Sequence, residues 1–276
     1  MIKDLVVSLG LHKTPDVTAG YAISIAEAFD AHLAAVAFAY EPVIAPSVMG
    51  GVSVEIIDAQ WAANEKAANT AVAAFEATAR RESIATEHRL LKASLSGAGD
   101  LFGRLARRFD LSVVGQAGPK QNVSQDLIIE GALFGSGRPV VIVPYIQKGG
   151  LKLDRVLVCW DGSRPAARAI ADAMPFLRRS QAVDVLIVAS GHEKSDEIPG
   201  VDMGEHLARH DLKIDVKRIV ATDIDVPNTI LSYAADNAID FIVMGGFGHS
   251  RLREFVLGGA TRGILGAMTV PTLMSH

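Results

Sequence analysis

A chain of 276 residues with 49% hydrophobic and 21% charged residues has material for one large domain or two average ones and is too apolar for wholesale disorder. Its net charge of -4, with no basic block, argues against a nucleic-acid-binding surface. The single cysteine, Cys159, excludes a disulfide within the chain, and no apolar run reaches the ~20 residues of a membrane span. The expected setting is therefore a reducing cytoplasm, with no secretory leader in MIKDLVVSLG.

In chain order, the first strand signal is IKDLVVSLG (2–10). An insertion, EPVIAPSVMGGVSVEI (41–56), reads as a loop or lid, and a long Ala-rich helix follows from about 55 to 83. DLSVVGQAGP (110–119) is a strand running into Gly-x-x-Gly, and RPVVIVP (138–144) is another strand. QKGGLKLD (147–154) is a short Gly/Lys linker. Beyond it the pattern repeats: KLDRVLVCWDG (152–162) resembles the start, DFIVMGGFGH (240–249) resembles 110–119, and VPTLMSH (270–276) resembles 138–144. Two copies are expected, over 1–147 and 151–276.

In the second copy the strands are expected at 155–160, 183–189, 214–221, 240–245 and 270–274. Between them lie the helical patterns RPAARAIADAMPFL, GEHLARHDL, VPNTILSYAADNA and TRGILGAM. Strands apolar on both faces, alternating with helices, mean open parallel α/β sheets with helices on both faces. Ligands of such sheets bind at the carboxyl ends of the strands. The stretch MGGFGHSRLREFVLGGATRGIL (244–265) starts at such an end. Its glycines permit close backbone approach, and Gly259-Ala260-Thr261 opens a helix whose unpaired N–H groups face an anion. The Thr261 hydroxyl suits a phosphate or a helix cap equally. Asp161, after the first strand of this copy, either accepts bonds from a ligand or serves the helix RPAARAIADAM, which Asp161 or Ser163 would cap.

The spacing Gly245-x2-Gly248-x9-Gly258 followed by a hydroxyl residue resembles the universal stress protein family, and the resemblance covers both halves. Met244, Gly245, Gly248, Leu252, Glu254, Leu257, Gly258 and Thr261 stand as in its ATP-binding members. Gly259 departs from them, because those members have Ser or Thr there. The resemblance implies a tandem protein of two five-stranded sheets, order 3-2-1-4-5, of the Rossmann-like, adenine nucleotide alpha hydrolase-like type. It also implies ATP, AMP or ADP, with or without Mg²⁺, in the second copy. Asp161, Val188 at the adenine edge, Met244, Gly245, Gly248, Gly258, Gly259, Ala260 and Thr261 would line that site. The implied role is stress signalling rather than turnover.

The first copy departs further. Gly10 stands in the place of Asp161, no Gly-Gly-x-Thr turn follows Gly118, and Asp126 and Glu130 would repel phosphate. A weak site or none is expected there, with the first copy acting as a built-in dimer partner and a further homodimer left open. Outer strands VPTLM or VVIVP would pair to cover sheet edges. No Walker loop, nucleophile elbow or zinc signature is present, so no catalytic or metal residue is assigned. His206 and His210, spaced i, i+4, suit a solvated face or a metal. Arg251 and Arg253 suit phosphates or Glu254. A nucleotide-free scaffold and a slow ATPase remain as alternatives.

Overall fold

The computed structural model describes residues 1–11, 16–42, 53–118, 123–190, 200–221, 225–246 and 259–276. Strand and helix alternate along them, and two compact units divide them. One unit holds 2–138 with 148–150, and the other holds 139–147 with 151–276 and Met1.

The first unit contains β1 (Asp4–Ser8), α1 (Val17–Phe29), β2 (His32–Tyr40), α2 (Val54–Arg81), β3 (Thr86–Ala93), α3 (Gly97–Ala106), β4 (Leu111–Gly115) and α4 (Val123–Gly135). Its strands run in the order β3-β2-β1-β4, all parallel. The second unit contains β5 (Val140–Val143), β6 (Arg155–Cys159), α5 (Arg164–Leu177), β7 (Ala182–Ser190), α6 (Gly200–Ala208), β8 (Ile214–Ala221), α7 (Val226–Asp236), β9 (Phe241–Gly245), α8 (Gly259–Ala267) and β10 (Thr272–Ser275). The parallel strands there follow β8-β7-β6-β9-β10, the expected 3-2-1-4-5 order. β5 adds itself antiparallel to β10, in the register Leu273↔Val141. The strand pair expected at sheet edges is thus made, and each edge meets the other's backbone groups. The sequence repeat counts β5 with the first copy, yet it clusters with the second unit.

Local sequence explains these elements. β1, β4, β5 and β9 are buried almost end to end, as strands covered on both faces must be. Helix starts carry side-chain caps: Asp16 accepts from Thr18 N, Ser163 from Ala166 N, and Asp225 from Asn228 N. In the last two cases a proline follows in the first turn, where its missing N–H costs nothing. α6 differs from expectation: it runs 200–208, four residues ahead of GEHLARHDL. Asp211 takes a left-handed conformation (φ 63°) in the turn that ends the helix.

In the second unit Phe176 of α5 stacks on Phe241 of β9, with centroids 5.1 Å apart. The one deeply buried carboxylate described there, Asp184, is fully engaged. Arg155 donates to both its oxygens at 3.0–3.1 Å and the Tyr233 hydroxyl donates at 2.8 Å. Burial, then the Asp184 bond, pushes the Tyr233 phenol well above its ordinary range. This pair ties α7 to β7 near the amino ends of the strands, away from the expected ligand edge. No helix among the described residues is long and apolar enough to cross a membrane.

Candidate functional site

The strand order of the second unit reverses between β6 and β9, and their carboxyl ends form the crevice where open α/β sheets take ligands. Asp161 stands at the end of β6, and Met244 to Gly246 stand at the end of β9. Side-chain alternation sorts the residues between them. Leu157 is in register with Asp184 and Ile242, and Asp184 reaches Tyr233 of α7. Leu157, Cys159, Val188 and Met244 therefore share the α7 face. Trp160, Val243 and Gly245 take the opposite face, toward α5.

Asp161 is exposed, and its Oδ1 accepts from Ser163 N at 2.9 Å. That bond forms a turn across Gly162, which has φ 73°. Ser163, rather than Asp161, caps α5, through Ala166 N at 3.2 Å. Of the two capping candidates, Ser163 is therefore the cap, and Asp161 Oδ2 makes no hydrogen bond among the described residues. Cys159, half-buried below it, has its thiol pushed up to about 12 by burial, with the Asp161 charge adding to the effect. A thiol this reluctant to ionise is pocket floor, not a nucleophile.

Gly245 has a packing reason of its own. A Cβ there would lie 2.5 Å from Ala166 N and 2.7 Å from Pro165 C, so only glycine lets β9 meet the start of α5. Gly259 is the reverse case, because a Cβ on it would meet nothing within 4 Å among the described residues. Gly259, Ala260 and Thr261 form the first turn of α8, where three N–H groups lack helical partners and the dipole is positive. Thr261 is buried. Gly248 and Gly258 lie outside the described residues, as do His249, Ser250, Arg251, Leu252, Arg253, Glu254 and Leu257.

The same places in the first copy are filled by the protein's own side chains. Where Asp161 would stand is Gly10, whose N–H donates to Asp16 Oδ2 at 2.8 Å while Asp16 Oδ1 accepts from Thr18 N at 3.0 Å. The Asp16 carboxylate thus comes within 3.5 Å of where a Cβ on Gly10 would point. Gln125 Nε2 donates to Gly115 O at 2.6 Å. Burial raises the Tyr40 phenol against a hydrogen bond from Ser124, and burial with the nearby Asp126 raises Glu130. Asp126, in the first turn of α4, already uses its dipole and repels an anion. None of Asp16, Gln125 or Tyr40 carries a motif; the signals in the sequence were Gly10 in place of the strand-end aspartate, the missing Gly-Gly-x-Thr turn, and the acidic Asp126 and Glu130.

His206 and His210 meet edge to face with ring centroids 5.1 Å apart. Among the described residues no group of three or more His, Cys, Asp or Glu could hold a metal ion.

Comparison with known proteins places this architecture. Residues 152–276 match the model of the universal stress protein family. The chain is 27% identical, over 174 residues, to the universal stress protein Slr1230 of Synechocystis sp., a match covering 60% of this chain and 57% of that protein. The chain therefore spans little more than half the length of that relative. Its fold is similar to a universal stress protein from Archaeoglobus fulgidus at TM-score 0.68 and 16% identity, covering 98% of this chain and 97% of that one. It is also similar to a putative universal stress protein from Pseudomonas aeruginosa at TM-score 0.59 and 13% identity, covering 99% and 93%. The second copy, residues 152–276, is thus similar to the universal stress protein family.

Proposed function

We propose that the second copy binds ATP, or AMP or ADP, at the carboxyl ends of β6 and β9, and that this binding serves a stress response rather than turnover. The observation that carries the reading is the contrast between the copies. In the first, Asp16 and Gln125 take up the ligand's hydrogen-bonding places. In the second, Asp161 Oδ2 makes no hydrogen bond among the described residues, and a Cβ on Gly259 would meet none of them within 4 Å.

In this reading Asp161 accepts from ribose hydroxyls or the adenine amino group. Val188 and Met244, on one sheet face, make an apolar floor for the base, with Cys159 beside them. The N–H groups of Gly259, Ala260 and Thr261 hold phosphate, and Mg²⁺ enters with the phosphates. Gly245, Gly248 and Gly258 belong to the same run and allow the backbone to come close. In this reading the two copies, 1–147 and 151–276, act as a pseudo-dimer.

Freshly purified protein, denatured without added nucleotide, is expected to release near-stoichiometric ATP, ADP or AMP by mass spectrometry. Failing that, added ATP is expected to bind by calorimetry with one site per chain. Empty protein that also ignores added ATP would leave the fold a scaffold.

A further inference from the structure

The two copies finish the outer side of their parallel sheets differently. β3 ends the sheet of the first unit and β8 that of the second, each with one strand neighbour among the described residues. In the first unit the 28-residue α2 answers the charges of its outer strand: Glu76 meets His88 at 2.7 Å and Glu65 meets Lys92 at 3.7 Å. In the second unit α6, in the corresponding place, has 9 residues, and a Cβ on its Gly204 would lie 2.6 Å from Val216 Cγ2. Beyond that contact β8 stays open. Val216 is 36% exposed and Val220 55%. Asp215 and Lys217 bridge each other along the strand at 2.8 Å, both half-exposed.

Backbone direction decides which residues can take another strand. Val183 N donates to Lys213 O across the β7–β8 ladder. In a parallel ladder alternate residues face the neighbour, so Lys213, Asp215, Lys217 and Ile219 turn their N–H and C=O toward β7. Ile214, Val216 and Val220 turn theirs outward, where no strand pairs with them among the described residues. Such a row of unpaired groups is a template for a further strand.

We propose that β8 is a self-pairing edge: two copies of this chain join through it, antiparallel, about a twofold axis at Val216. A contact of this kind must be complementary to itself. Centred on Val216, the pairing sets Asp215 against the partner's Lys217, and Lys217 against the partner's Asp215, on one sheet face. On the other face Val216 meets the partner's Val216, and the two residues exchange both backbone bonds. A register centred on Lys217 or Arg218 opposes like charges, which destabilises it, and one centred on Ile219 opposes no ion pair. The charges that keep most sheet edges apart thus select one register here. A single strand pair buries less area than a permanent dimer does, so monomer and dimer exchange. The proposal does not draw on the nucleotide reading.

Sedimentation of the full chain at low salt is expected to show a dimer that dissociates on dilution and as salt is raised. Val216→Pro removes an outward N–H that the β7 ladder does not use, and is expected to be monomeric. Asp215→Lys and Lys217→Asp each oppose like charges in a homodimer, and each alone is expected to be monomeric. Mixed in equal amounts they are expected to form a heterodimer, because every opposed pair is then Lys against Asp. Damage to the fold of either variant would not be cured by mixing, and all variants are expected to melt within a few degrees of wild type. Wild type that stays monomeric at every concentration overturns the proposal and leaves the edge to a different strand. A dimer that survives Val216→Pro overturns it too, since the contact then lies elsewhere. A mixture that stays monomeric overturns the Val216 register on which it rests.

Discussion

Gly245 and Ala166 approach so closely that a Cβ on the glycine would sit 2.5 Å from the Ala166 nitrogen. The first glycine of the family motif is therefore needed for packing β9 against α5, before any ligand is considered. Gly245→Ala is expected to destabilise the chain by about 1–3 kcal/mol through overpacking. A urea midpoint measured without nucleotide checks this. A midpoint equal to wild type would mean that the helix start yields freely.

Gly259 makes the opposite prediction. By the family resemblance it stands where ATP-binding members carry a hydroxyl, and a Cβ there would meet no described atom within 4 Å. Gly259→Ser is expected to keep the melting temperature and to tighten ATP about tenfold or more, since a hydrogen bond to a charged group is worth about 1.5–3 kcal/mol. Calorimetry on the variant beside wild type decides it. No gain in affinity would show that phosphate does not lie at the start of α8.

Asp161 has one oxygen in the turn and one without a hydrogen-bond partner among the described residues. Asp161→Asn can keep the acceptor for Ser163 N while losing the charge and half the acceptor capacity. Its stability is expected to be unchanged and its ATP affinity to fall about tenfold. If affinity and stability fell together, Asp161 would be a turn residue only.

Cys159 gives a pH prediction. The folded chain holds its thiol proton to about 12, whereas the unfolded chain releases it near the ordinary thiol value of about 8.5. The folded state binds more protons between those values, so stability is complete below that window and declines as pH rises through it. At pH 8 alkylation by iodoacetamide is expected to run roughly a thousandfold slower than for a free thiol. Rapid labelling of native protein would contradict the burial that sets this shift.

In the first unit, α3 and α4 touch backbone to backbone. A Cβ on Gly131 would overlap Gly99 O, and one on Gly99 would overlap Leu127 O. Gly131→Ala is expected to cost more than about 3 kcal/mol, because backbone cannot move aside as a side-chain tip can. Chemical denaturation followed by circular dichroism would show it as a lowered midpoint.

Much of this molecule was readable from residue order. Apolar runs such as DFIVMG and VDVLIVA became β9 and β7 because a strand covered on both faces has no polar face to show. The helical patterns RPAARAIADAMPFL and VPNTILSYAADNA became α5 and α7, capped by Ser163 and Asp225 with a proline in each first turn. The extent of α6 was not readable, because the left-handed turn at Asp211 depends on backbone conformation that periodicity does not encode.

What the sequence determined by itself was periodicity, spacing and duplication: two α/β copies, a glycine run at a strand end, and the loss of an aspartate at Gly10. These are local properties, set by neighbours along the chain. Only the tertiary structure decided which face of the sheet each residue takes, and so divided Val188 and Met244 from Gly245. It also brought Asp16 to Gly10, Gln125 to Gly115 and His276 to Gly246. The last of these joins residues 30 positions apart. Such contacts come from strand register and helix docking, which sequence spacing alone does not specify.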